Sequence, residues 1–369
     1  MNRYLEKSIA RDLRKKMVFL GGPRQVGKTT LGFHLLSSKK SYLNWDVPEH
    51  RESILRREFP RGNPILFDEI HKYRSWRNYL KGLYDNPDFG RQILVTGSAR
   101  LDLYRYGGDS LQGRHYYYRL HPLSFAELRM KTKADLFGLL ELGGFPEQFL
   151  NTSRVDSKRW SNDYRTRLIR DDLRSLESLQ DLGNIELMML RLPSLVGAPL
   201  SLNAIREDLQ VSHHSVRRWL DALERLYAFF RLPPFGSPKI RAVKKEQKHY
   251  HFDWTLVQEP GLRFENMVAC HLLKWTHFLH DTEGQNLELR YFRDIDKREV
   301  DFAVLEDSSP ILFLECKWAD EKLHPGLLYL KERFPKTRSV QIAAQGSRDV
   351  VHASGVEIMP AERFLATLV

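Results

Sequence analysis

Residues 22 to 29 read Gly-Pro-Arg-Gln-Val-Gly-Lys-Thr and fill the pattern G-x-x-x-x-G-K-[ST]. The pattern constrains the fold because it cradles phosphate only when it joins a buried strand to the first turn of a helix. Both flanks are present. The apolar run Met17–Leu20 reads as a strand, and Thr30 to Leu36 reads as a helix. Gly22 and Gly27 allow the backbone N–H groups to turn inward onto phosphate oxygens. The helix N-terminus adds the positive end of its dipole. Lys28 is placed to reach the β- and γ-phosphates, and the Thr29 hydroxyl to sit on Mg²⁺. ATP and Mg²⁺ are therefore the expected cofactors, with Gly22, Pro23, Arg24, Gln25, Val26, Gly27, Lys28, Thr29 and Thr30 as the binding segment.

The loop demands a partner, an apolar strand that ends in an acid. Pro64-Ile65-Leu66-Phe67-Asp68-Glu69 supplies it. Asp68 would orient the Mg²⁺ shell, and Glu69 would polarise the attacking water as general base. A further strand, Gln92 to Ser98, ends in hydroxyls, so Ser98 is expected beside the γ-phosphate. Ser41 to Asp46 reads as another strand, and Trp76 to Tyr84 as a helix between strands. Strands alternating with helices predict a parallel sheet covered on both faces. Its ligands bind at the carboxyl ends of the strands, where these motifs lie.

A chain of 369 residues accommodates two or three domains. No apolar run approaches the ~18 residues of a membrane span, so no membrane partner is expected. The first residues lack the apolar core of a signal peptide. Cys270 and Cys316 have no metal-ligand spacing, and a reducing, cytoplasmic compartment is expected. The net charge of +11 is uneven: residues 1–150 hold 26 basic and 16 acidic side chains, 151–260 hold 18 and 14, and 261–369 hold 14 and 17. A basic body suits a polyanion, DNA first; an Arg-rich solvated surface is the alternative.

The phosphate loop, Phe67-Asp68-Glu69-Ile70-His71-Lys72 and Thr96-Gly97-Ser98-Ala99-Arg100 together resemble the AAA+ ATPases of prokaryotes. Ser110 to Arg114, Pro122 to Leu128 and Gly143 to Glu147 are similar to signatures of the group that carries a C-terminal domain of unknown function. The resemblance covers nearly the whole chain. It implies ATP hydrolysis and an arginine that completes the nucleotide site, sometimes from a neighbouring copy. Arg114 is the first candidate and Arg100 the second; a structural ion pair is the alternative for Arg114. Homo-oligomers are common in such proteins.

Helical charge and Leu/Ile spacing from Asp163 to Leu179 predicts a lid-like bundle. Leu200 to Ser212 and His213 to Leu226 read as two helices joined by a turn, with Ser212 as N-cap. The pair looks like a helix-turn-helix of winged type. Ser215, Arg217 and Arg218 could face DNA, or the module could serve only for packing. Pro233 to Pro238 breaks the pattern. Lys239, Arg241, Lys244, Lys245 and Lys248 follow as a candidate phosphate-contacting stretch, or as a solvated linker.

Arg298 to Leu305 and Ile311 to Lys317 read as a hairpin about Ser308, which sets Asp301 opposite Glu315. Alternation places Lys317 on the same face. Two acids and a lysine on one face suit metal-dependent phosphodiester cleavage. The arrangement resembles the D…E-x-K signature of the PD-(D/E)XK nuclease fold, and Gly261 to Val268 looks like its first helix, from which Glu265 joins the metal site. Glu265, Asp301 and Glu315 with Lys317 are thus the candidate second metal site. An inactive nuclease-like binding module and a cross-strand salt bridge are the alternatives.

The expected fold class is α/β. It comprises a P-loop AAA+ parallel sheet in an ATP-binding domain at 1–150, a helical lid and winged helix at 151–235, and a C-terminal α/β nuclease-like domain at 236–369. The expected function is Mg²⁺-dependent ATP hydrolysis by a P-loop NTP hydrolase, coupled to a C-terminal domain that meets DNA or protein. An ATP-regulated DNA nuclease and a nucleotide-gated switch with negligible turnover are the alternatives. The candidate partners are ATP, DNA, another protein and further copies of the chain.

Overall fold

The computed structural model describes residues 1–97, 111–150, 153–173, 181–236 and 247–369. Two compact units result. The first comprises Met1–Pro122, Arg225–Tyr227 and Asp281–Glu283; the second comprises Leu123–Glu224, Ala228–His280 and Gly284–Val369.

In the first unit β1 (Met17–Gly21), β2 (Tyr42–Asn44), β3 (Ile65–Asp68), β4 (Ile93–Thr96) and β5 (His115–Arg119) form one parallel sheet in the order β2-β3-β4-β1-β5. Every residue of β1, β3 and β4 is buried, as strands covered on both faces require. One cover is the helix Trp76–Tyr84. It buries Trp76, Tyr79, Leu80 and Leu83, a stripe at i, i+3, i+4 and i+7. These pack with Phe19, Phe67 and Val95. Burying each such side chain contributes roughly 1.5–3 kcal/mol. The helix Lys28–Leu35 also lies close to the sheet: a Cβ on Gly32 would come within 2.6 Å of Leu66 Cδ2.

The second unit begins with the helices Lys133–Leu142, Pro146–Leu150 and Arg154–Arg167. A reciprocal capping box of Thr132 and Asp135 starts the first of them. The third continues as a π-helix over Leu168–Leu173; the rest of the expected helical stretch to Leu179 lies outside the described residues. After Leu182–Arg191, the helices Leu202–Leu209 and His213–Arg225 follow, joined by a short turn. The Ser212 hydroxyl accepts from the Ser215 N–H at 3.0 Å. The strands β6 (Phe229–Leu232) and β8 (Lys248–His251) then pair antiparallel. Between them, β7 (Pro234–Phe235) joins another sheet. That sheet has seven strands in the order β13-β14-β12-β11-β10-β9-β7, the others being β9 (Leu287–Arg293), β10 (Glu299–Glu306), β11 (Ser309–Lys317), β12 (Arg338–Ala343), β13 (Val350–Val351) and β14 (Glu357–Pro360).

Two expected boundaries shift. The first unit's leading segment ends at Pro122 rather than near residue 150. The break at Pro233-Pro234 does not separate domains, because β6 before it pairs with β8 after it, and β7 pairs with β9. Prolines end one strand and start the next here without ending the unit.

The β10–β11 hairpin keeps the expected register over its inner part: Phe302 faces Leu314 and Val304 faces Leu312. Toward the turn the register slips by one residue, leaving Glu306 opposite Ser309. The loop is therefore Asp307-Ser308 alone, both left-handed at φ 47° and 70°, the geometry that matches strand twist in a two-residue hairpin.

The second unit buries a charge pair, Lys274 with Glu127. Their side chains are 1% and 2% exposed, their contact is 2.6 Å, and the ammonium also donates to Ser124 Oγ at 2.7 Å. Replacing Lys274 by Met strands Glu127 in the interior and should cost about 3–5 kcal/mol in chemical denaturation.

Three buried histidines of the same unit carry pKa values held down by burial: His249 and His271 at about 4, His251 at about 3. His271 shows why it is neutral. Its Nε2 accepts the Phe125 N–H at 3.0 Å, and its Nδ1 lies 2.8 Å from the Met267 carbonyl. The unfolded histidines titrate near 6.5. Between that value and about 4 the unfolded chain binds more protons, so their stabilisation is complete above pH 6.5 and lost as pH falls toward 4. The unfolding free energy should fall between pH 6.5 and 4.5, by roughly 1.4 kcal/mol per pH unit for each histidine, and the melting temperature should fall with it. His251→Phe should flatten that slope.

Candidate functional site

The phosphate loop lies at the carboxyl end of β1, at the sheet edge where ligands of such folds bind. Gly22 has φ +133°, and a Cβ there would come 2.3 Å from the Leu120 carbonyl oxygen. Gly27, at φ +96°, caps the helix Lys28–Leu35. Lys28 is nearly buried, and its ammonium donates to the Gly22 and Pro23 carbonyls at 3.0 and 2.6 Å. Those carbonyls hold the charge in the mouth of the loop. The buried Arg3 fixes the loop from behind, donating to the Val26 carbonyl at 2.7 Å and the His121 carbonyl at 2.6 Å. No local pattern signals Arg3, because its role rests on contacts 23 and 118 residues away.

Asp68 ends β3 and gathers hydroxyls. Its Oδ2 accepts from Thr29 and Tyr42, both at 3.0 Å, and its Oδ1 accepts from Thr96 at 2.7 Å. Burial, then the nearby Asp68 charge, pushes the Tyr42 phenol up to about 12, so it remains a donor. The Thr29 hydroxyl and the Asp68 carboxylate are the oxygen donors a Mg²⁺ ion takes beside a nucleotide, and their proximity fits MgATP. Thr29 and Asp68 would hold such an ion, which would supply neutralisation of phosphate charge.

Glu69 follows in a left-handed conformation, φ +57°, with its N–H bonded to the Thr96 carbonyl at 3.0 Å. Its Oε2 is 3.3 Å from Lys72 Nζ and 3.5 Å from His71 Nε2, and Lys72 also pairs with Asp46. The candidate base thus starts within an ion-pair chain. Ser98, Arg100 and Ser110 lie outside the described residues. Arg114 is placed away from the phosphate loop. It precedes β5, at the amino edge of the parallel sheet, where its carbonyl accepts the N–H of Met17, the first residue of β1. It makes a two-pronged pair with Asp85 at 2.8 and 3.1 Å. The loop follows the opposite end of β1, so Arg114 cannot complete the site of its own chain.

The second expected site is assembled in part. Asp301 and Glu315 interlock: Asp301 N–H donates to Glu315 Oε2 at 3.2 Å, and Cys316 N–H donates to Asp301 Oδ2 at 2.9 Å. Lys317 Nζ lies 3.0 Å from Glu315 Oε1. Glu265, on the helix Pro260–Glu283, joins them and accepts from the Tyr250 hydroxyl at 2.7 Å. Burial, then the Asp301 charge, pushes both Glu265 and Glu315 above the usual carboxylate range.

Two residues complete this cluster that the sequence did not assign to it, Glu299 and Lys248. Lys248 was expected among solvated or phosphate-contacting lysines. It is instead 1% exposed, with its ammonium 2.5 Å from Glu299, 3.5 Å from Glu265 and 3.8 Å from Asp301. Burial opposes its charge, but Glu265, Asp301 and Glu299 outweigh it and raise its pKa. Glu299 had a legible signal, since it sits two residues before Asp301 on one strand face. The carboxylates do not fit a metal ion in this arrangement: their oxygens already accept Lys317, Tyr250 and two backbone N–H groups, and the Lys248 ammonium stands within ion-pair distance of Glu265 and Asp301. Among the described residues no group of three or more His, Cys, Asp and Glu side chains is placed to hold a metal. The other basic residues of that stretch, Lys239, Arg241, Lys244 and Lys245, lie outside the described residues.

Ser215, Arg217 and Arg218 lie in the first two turns of the helix His213–Arg225, with both arginines exposed. Among the described residues no helix is long and apolar enough to cross a membrane.

Comparison with known proteins agrees with the first site. Residues 14–129 match the family model of the AAA domain, which supports ATP binding by the unit that carries the loop. Residues 133–259 and 260–364 match two separate domain families of unknown function. An uncharacterized protein of Mycobacterium tuberculosis is 28% identical over 91% of this chain and 83% of its own length. One from Haemophilus influenzae is 21% identical over 86% and 87%. Among solved structures, RuvB from Thermotoga maritima overlaps 62% of this chain and 87% of its own, at 16% identity and a TM-score of 0.31. A signal transduction ATPase with numerous domains and a tetratricopeptide repeat sensor, from Pyrococcus horikoshii, overlaps 76% and 47% at 14% identity and a TM-score of 0.24.

The contacts of Arg3 give a direct expectation. Arg3→Met should weaken ATP binding roughly ten- to a hundredfold, the loss of about one charged hydrogen bond's 1.5–3 kcal/mol, measured by titration calorimetry. An unchanged Kd would mean that the loop keeps its shape without Arg3.

Proposed function

We propose that this chain binds MgATP at the phosphate loop and hydrolyses it. The observation that carries the reading is the 3.0 Å bond from the Thr29 hydroxyl to Asp68, which brings two expected Mg²⁺-shell groups together from β3 and from the helix after β1. The loop N–H groups and Lys28 would bind the phosphates. To reach them, Lys28 exchanges its carbonyl partners Gly22 and Pro23 for phosphate oxygens, a gain in charge-assisted bonding. Asp68 keeps the Thr29 hydroxyl oriented through its second bond to Thr96. Glu69 would act as the base toward water, once it leaves Lys72 and His71. An arginine for the transition state would come from a segment outside the described residues, such as Arg100, or from Arg114 of another copy.

The pairing of Glu69 with Lys72 and His71 favours a second reading, a nucleotide-gated switch whose base is restrained until a partner docks. Exposed Arg217 and Arg218, on a helix-turn-helix followed by a two-stranded sheet, make DNA one candidate for that partner. The nuclease alternative is not carried forward, because its expected metal ligands hold a lysine.

Steady-state hydrolysis on wild type, Lys28→Ala and Glu69→Gln, with and without DNA, tests both readings. For an ATPase, Lys28→Ala abolishes turnover, while Glu69→Gln binds ATP normally and turns over about 10²–10⁴-fold more slowly. If wild type binds ATP but turns over no faster than Lys28→Ala, the chain is a switch; turnover that Glu69→Gln leaves unchanged means that Glu69 is not the base.

A further inference from the structure

We propose that Lys248 is the resident cation of the carboxylate cluster in the second unit. It takes the position where the D…E-x-K arrangement would hold a divalent metal, and the unit is built to work without one. This inference does not rest on the ATP reading.

The first support is placement. The ammonium reaches carboxylates from the helix Pro260–Glu283 (Glu265) and from β10 (Glu299 and Asp301), all within 3.8 Å. A metal held by Glu265 and Asp301 would need the space between them, and Lys248 Nζ stands there. The second is burial. A lysine 1% exposed loses almost all its hydration, which is tolerable only with opposite charge on several sides. The Tyr291 ring adds a further face, with its centroid 5.4 Å from Nζ.

The third support is the occupation of the acceptors. Glu265 Oε1 accepts from Tyr250 and lies 3.5 Å from Lys248 Nζ. Asp301 Oδ1 lies 3.8 Å from Lys248 Nζ, and its Oδ2 accepts from the Cys316 N–H. Glu315 gives Oε1 to Lys317 and Oε2 to the Asp301 N–H. A hard divalent ion prefers six or more oxygen ligands; here it would have to displace a buried ammonium. The strand pairing fixes that ammonium, because Lys248 is the first residue of β8 and lies opposite Leu232 of β6. The cluster therefore joins the two-stranded sheet to β10 and to the long helix by charge.

The test titrates Mn²⁺ into nucleotide-free full-length protein and follows free Mn²⁺ by electron paramagnetic resonance and melting by calorimetry. Wild type should show no Mn²⁺ uptake that Asp301→Asn removes. Lys248→Met should melt roughly 10 °C lower, as stranded buried carboxylates imply. It should also gain one bound Mn²⁺ per chain that raises its melting temperature, and the double variant Lys248→Met/Asp301→Asn should lose that site. Mn²⁺ uptake by wild type that disappears in Asp301→Asn overturns the proposal. So does a folded Lys248→Met protein that gains no Mn²⁺ site. If Lys248→Met does not fold, the comparison of wild type with Asp301→Asn decides alone: uptake lost in the variant overturns the proposal, and no uptake in either supports it.

Discussion

The Asp68 carboxylate is the point from which the nucleotide edge of the first unit is organised. Its place follows from parallel pairing, since β3 lies between β2 and β4 with Asp68 in register with Asn44 and Thr96. Three carboxyl ends therefore finish level. The side chains there can share one acceptor, and Thr29 joins from the helix that the loop starts. The acid is buried, and hydroxyl donors hold both of its oxygens. A carboxylate beside the phosphate loop supplies the hard oxygen donors that a divalent cation takes.

The second unit deals with buried carboxylates in the opposite way. Around Asp301 the counter-charge is covalently part of the chain, supplied by Lys248 and Lys317. Hydroxyls around Asp68 can turn and yield to an incoming ion at small cost. An ammonium buried among three acids cannot, because it has no solvent to retreat to. The two sites resemble each other in composition, acids with a neighbouring lysine, and differ in whether the lysine points at the acids. Lys28 bonds the loop's own carbonyls, while Lys248 bonds the carboxylates. That difference separates a site prepared for a ligand from one already filled.

The periodic and punctuated parts of the chain were legible before the structure. Met17–Leu20 and Phe67-Asp68 show their strands because a doubly covered strand needs an unbroken apolar run. Trp76, Tyr79, Leu80 and Leu83 show their helix because one face must be apolar. The hairpin register that brings Asp301 beside Glu315 was countable from the residues between them, apart from the one-residue slip that the Asp307-Ser308 turn imposes. Arg114 could not be read, since its chain distance from the loop says nothing of which sheet edge it occupies. Nor could the break at Pro233-Pro234, where local chemistry signals a stop but β6 and β8 pair across it.

By itself the sequence determined the phosphate loop, the acid-ended strand that answers it, and the α/β order of the first unit, because each depends on neighbours within a few residues or on a period of two or 3.6. The tertiary structure alone decided which distant groups meet: Arg3 behind the loop, Tyr42 and Thr96 on Asp68, Arg114 on Asp85, and Lys248 among the acids of the second unit. The physical reason is that a charge's role is set by what surrounds it once water is excluded, and no local pattern records that surrounding. Lys248 reads in sequence as the last member of a basic run, and only its burial beside Glu265, Glu299 and Asp301 makes it the cation of that cluster.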